Sequence, residues 1–92
     1  MGSKANIASR IGRTRFAFLI SDLEIALTMA GLARNAEKDS DKRIRNQENA
    51  RQAYVAVLRL SKGMSLSKSE HEQLREKLEE LKSALRELGE SF

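Results

Sequence analysis

The apolar residues fall into three blocks of different width, separated by polar punctuation. The first block, Phe16 to Ala36, is apolar on almost every side. Wound at 100° per residue, it gathers Phe16, Leu19, Ile20, Leu23, Leu27 and Ala30 in one sector and Phe18, Ile25, Met29 and Leu32 in the adjoining one. Only Ser21, Glu24, Thr28 and Asn35 form a polar stripe. A helix apolar over about two thirds of its circumference needs partners on two sides. This helix is therefore expected in the middle of a bundle or as half of an oligomer interface, with Phe18, Ile25, Met29 and Leu32 as the interface residues. Ser21-Asp22-Leu23-Glu24 fits a capping box, yet Thr14 also fits as the cap of a longer helix that includes Phe16 to Ile20. The longer version spans about 15–36. Gly31 inside it costs about 1 kcal/mol relative to Ala and implies close approach by a neighbouring helix.

The second block predicts a helix over about 41–62, capped by Asp39 or Ser40. Ala50, Ala53, Tyr54, Val57 and Leu58 share its apolar face, with Arg45, Glu48, Gln52 and Arg59 opposite. Lys62-Gly63-Met64 reads as a stop, with Gly63 in the left-handed conformation and Met64 folding back. In the third block, about 68–88, Leu74, Leu78, Leu81, Leu85 and Leu88 recur at spacings of 4, 3, 4 and 3. That is a seam two positions wide per heptad, the pattern of a helix lying in a groove or in a coiled coil. Ser67 to Glu70 and Ser69 to Glu72 are overlapping capping boxes at its start, and Gly89 closes it. The expected fold is all-α, an antiparallel up-down-up three-helix bundle over residues 14–92. Residues 1–13 are expected to form a basic N-terminal arm, because Ile7 and Ile11 are too little apolar surface to hold a helix.

Composition agrees with the helical reading: among 92 residues there is no Pro and no Cys, with 33% charged and 4% aromatic. The absence of Cys rules out disulfides, thiolate metal sites and thiol nucleophiles together, and fits a cytoplasmic setting. The net charge of +4 is unevenly placed. Lys4, Arg10, Arg13 and Arg15 precede the first acidic residue, whereas residues 16–92 hold 13 basic and 13 acidic side chains. Any attraction to nucleic acid is thus local to the N-terminal segment, where Arg10, Arg13 and Arg15 adjoin Phe16 and Phe18. Lys42, Arg43 and Arg45 beside Ser40 offer a second place for an anion, against the plainer expectation that they pair with Glu37, Asp39, Asp41 and Glu48. Asp22 and Glu24 interrupt the long apolar run, so no membrane span is expected.

Nothing in this pattern suggests catalysis, a metal or a cofactor. His71 is the lone histidine, and Glu70 and Glu72 point to other faces of its helix. Asp39 and Asp41 lack the central Gly and distal Glu of a calcium loop. The segment Ala50-Arg-Gln-Ala53-Tyr54-Val-Ala-Val57-Leu58-Arg-Leu60 resembles the second helix of a tetratricopeptide repeat, and the three-helix plan resembles MIT-like domains. The resemblance implies helical-hairpin packing and protein recognition. The expected role is therefore a non-enzymatic interaction or assembly module that self-associates as a homodimer. A nucleic-acid-associated protein using the basic arm is the alternative.

Overall fold

In a computed structural model of the chain, residues 3–92 are described, with side chains from Arg13 onward. Three helices, α1 (Ser3–Asn35), α2 (Asp41–Ser61) and α3 (Lys68–Glu87), pack pairwise into a three-helix bundle. The two connections are short, so successive helices run antiparallel.

α1 begins twelve residues before the expected start at 15, and the backbone of the anticipated arm is helical from Ser3. Neither Thr14 nor Ser21 is a cap; both lie inside the helix. The reason is cooperative: once the body of α1 is held by tertiary contacts, each further residue adds one hydrogen bond without a new nucleation cost. No Pro stands in the way. At 1.5 Å per residue α1 is about 50 Å long and α2 about 30 Å, so α1 overruns its neighbours. The long axis of the molecule, 58 Å against 19 and 16 Å across, reflects that overrun.

The other boundaries follow local chemistry. Asp39 takes φ 65° in the first connection, a conformation its short polar side chain tolerates. Ser40 then caps α2, its Oγ accepting from the Arg43 N–H at 3.1 Å. Ser67 and Glu70 complete a reciprocal capping box at 3.1 and 2.9 Å. The overlapping box at Ser69 is not made; Ser69 Oγ instead accepts from Gln73 Nε2. At the end of α3, Gly89 at φ 100° donates to the Arg86 carbonyl and Glu90 to that of Leu85, which satisfies two orphan acceptors.

Gly63 departs from expectation: its φ is not positive. The N–H groups of Gly63 and Met64 reach back three residues, to Leu60 and Ser61, both at 3.2 Å. A tightened last turn thus ends α2 with no left-handed residue. Met64 does fold back, packing with Leu66 against the core. Gly31 is also not where a neighbour crowds in, since a Cβ built there meets nothing within 4 Å.

The core joins Leu19, Leu23, Ala26, Ala30 and Ala33 of α1 to Ala50, Tyr54 and Val57 of α2 and to Leu74, Leu81 and Leu85 of α3. Full burial of each leucine contributes about 1.5 to 3 kcal/mol. Compared with the expected inward sector of α1, the buried stripe is rotated by roughly an eighth of a turn. Ala26 and Ala33 are enclosed, while Phe16, Ile20 and Leu27 are only half-buried. α3 touches α2 less than it touches α1. The far end of that α2–α3 seam is closed by the tail: the Phe92 ring meets Tyr54 edge-on at 5.1 Å, and Glu90 bonds Gln47 and Arg51 at 3.2 Å each.

Candidate association surface

A quarter turn from its buried stripe, α1 carries a second stripe at heptad spacing, Phe18, Asp22, Ile25, Met29 and Leu32. Neither α2 nor α3 covers it. Phe18 is 65% exposed, Ile25 54% and Leu32 43%, while Met29 is half-buried against the core. The structure therefore brings the four sequence-predicted interface residues onto one face, and leaves three of them open to solvent.

α2 supplies the other side of this surface. Between α1 and α2 lies an apolar recess of about 160 Å³, floored by Ala26 and Val57 and walled by Ile25, Met29, Ala53 and Ala56. Asp22 and Asn49 complete the lining, and no residue of α3 contributes. Antiparallel pairing puts Leu60, 57% exposed, toward the Phe18 end. Residue patterning on α2 alone placed Ala53 on the core face, where it does pack half-buried, and left out Ala56 and Leu60. The signal that finds them is the register of α2 against α1, which a single-helix periodicity does not contain.

A second, wider groove of about 800 Å³ runs between α2 and α3, with Tyr54, Leu58, Leu74 and Leu78 along it and Arg75 and His71 beside them. His71 is exposed there. Among the described residues no group of three or more His, Asp or Glu is placed to hold a metal ion, and no polar or charged residue is buried.

Arg13 and Arg15 lie on α1 and Arg43 and Arg45 at the start of α2, near the opposite end of the bundle. The side chain of Arg10 lies outside the described residues; Arg13 and Arg15 are exposed on α1. Arg45 is exposed and Arg43 half-buried at the start of α2, where Ser40 Oγ is already engaged by the Arg43 backbone. The acidic pairing expected for Lys42, Arg43 and Arg45 is not made. Arg51 instead pairs with Glu90 at 3.2 Å and Arg34 with Glu87 at 3.9 Å, the latter well exposed and worth little.

By length and composition alone, Arg13–Asn35 of α1 is long and apolar enough to cross a bilayer, with mean hydropathy 1.7 and 28% of its window buried. Asp22 and Glu24, both exposed, fall near its middle. In a span they would cost about 2.5 to 3.5 kcal/mol apiece by insertion scales.

No protein-family model, curated protein or solved structure matches the chain. What can be said of its class rests on the fold: an all-α three-helix bundle with one helix apolar on two sides.

Proposed function

We propose that this bundle is a non-enzymatic interaction and assembly module that self-associates as a dimer through Phe18, Ile25, Met29 and Leu32. The observation that carries this reading is the exposure of Phe18, Ile25 and Leu32 in one line on a helix whose other stripe is buried. With Leu60, 57% exposed, they make a line of large apolar side chains left open to solvent along α1 and α2. Residues 16–92 carry balanced charge, so charge repulsion between copies is confined to the N-terminal segment.

Light scattering across a concentration series tests the reading. A mass of two chains is expected at high concentration, and one chain for Phe18→Ser with Ile25→Ser. A single-chain mass for the unmodified protein at millimolar concentration overturns it.

The exposure of Arg13 and Arg15 ahead of the exposed Phe18 ring favours a second reading, contact with single-stranded nucleic acid by stacking and phosphate pairing. Fluorescence anisotropy with a labelled oligonucleotide at low salt decides it: saturable binding that weakens as salt rises supports it, and a flat titration removes it.

A further inference from the structure

The recess between α1 and α2 has the size of an aromatic ring. An apolar cavity of about 150 Å³ accepts benzene, and this one measures about 160 Å³. Among the described residues, Phe18 is the most exposed of the large apolar side chains. It stands one heptad before Ile25, about 10 Å along the helix axis from the recess, beyond the reach of its own side chain. Each copy therefore holds a projecting ring and an unfilled ring-sized recess side by side.

Building on the self-association proposed above, we infer that Phe18 of each copy fills the α1–α2 recess of the other. The two α1 helices then lie antiparallel about a two-fold axis beside Asp22. Reciprocal insertion is what a closed two-fold interface requires, because the same patch must serve as both halves. The axis position follows from the spacing: halfway between Phe18 and the middle of the recess lies Asp22.

Charge favours this direction. Lys4, Arg10, Arg13 and Arg15 lie toward one end of a helix about 50 Å long, so antiparallel pairing sets the two basic ends far apart. Parallel pairing would place them side by side, set Phe18 on Phe18 and leave both recesses empty. The overrun of α1 has a use as well: in the antiparallel pair it lies along the partner's α1 toward Leu32, over surface that α2 and α3 leave uncovered. The arrangement has one unfavourable element, since the two Asp22 carboxylates approach each other at the axis.

Disulfide trapping tests the geometry, and the chain has no Cys of its own to interfere. Asp22→Cys is expected to cross-link to its own copy under mild oxidation. Leu32→Cys is expected not to, because the two positions sit about 30 Å apart in the antiparallel pair. Asp22→Asn should tighten the dimer roughly fivefold by removing a like-charge contact worth about 1 kcal/mol in water. Ala56→Phe fills the recess from its own side at an exposed position, and should weaken the dimer at least tenfold while leaving the unfolding transition of the monomer in place. Efficient cross-linking of Leu32→Cys, or a dimer indifferent to Ala56→Phe, overturns reciprocal insertion while self-association stands. An unmodified protein that stays monomeric overturns both. Loss of the dimer with insertion of Phe18 into vesicles of zwitterionic and anionic phospholipid would assign the stripe to lipid and likewise overturn both.

Discussion

α3 and α1 are both apolar helices, but they are satisfied to different degrees. Every leucine of the α3 seam is buried or half-buried, and none of the large exposed apolar residues belongs to that helix. On α1 the stripe from Leu19 to Ala33 is equally enclosed, yet the stripe from Phe18 to Leu32 faces solvent. Two apolar positions per heptad need one groove, which the other two helices supply. Four per heptad need a second groove, and two neighbours both lying on one side of α1 do not form it. Burial therefore falls to one set of α1 side chains, and the association proposed above to another.

The sharpest way to break that division is at the α3 seam. Leu81→Ala, at a side chain with no exposed surface, should cost about 2 to 5 kcal/mol in denaturant unfolding, through lost transfer energy and a residual cavity. Ser67→Ala, which removes the reciprocal capping box of α3, should cost about 1 kcal/mol by the same measurement. A loss near zero would show that α3 is held by its leucines alone. Gly31→Ala should raise the unfolding free energy by about 0.5 to 1 kcal/mol, since the added methyl meets nothing and the unfolded chain loses freedom. The smallest effect should come from the outer stripe. Phe18→Ser should change the unfolding free energy of the isolated monomer by no more than about 0.5 kcal/mol, as for other surface positions. It should also remove the rise of the melting temperature with protein concentration that a dimer produces. A large loss in the monomer would mean that Phe18 belongs to the fold after all.

Local chemistry made the start of α2 and both ends of α3 legible: Ser40, Ser67 and Gly89 each act on backbone groups within a few residues of themselves. The leucine seam was legible for a related reason, because only one face of α3 is apolar. α1 was legible as a two-sided helix but not as to which side faces inward. With both sectors apolar, periodicity does not choose between Leu27 and Ala26, and the choice falls to packing. Ala26 and Ala33 are small enough for α2 to lie close, and that proximity draws the buried stripe toward them.

Gly31 and Gly63 were misjudged for a shared reason. A glycine permits a close contact or a left-handed turn without requiring either, and here neighbouring backbone geometry required neither. The N-terminal reach of α1 was likewise hidden, because propagation depends on an anchor formed by distant residues. Taken alone, the sequence determined the helix count, the N-caps of α2 and α3, the α3 seam and the surplus of apolar surface on α1, since each depends on residues within a turn or two of one another. The tertiary structure decided which α1 stripe is enclosed, that Ala56 and Leu60 join the open one, and that a ring-sized recess lies beside Phe18. Those features depend on the register and angle between helices, which no single stretch of chain encodes.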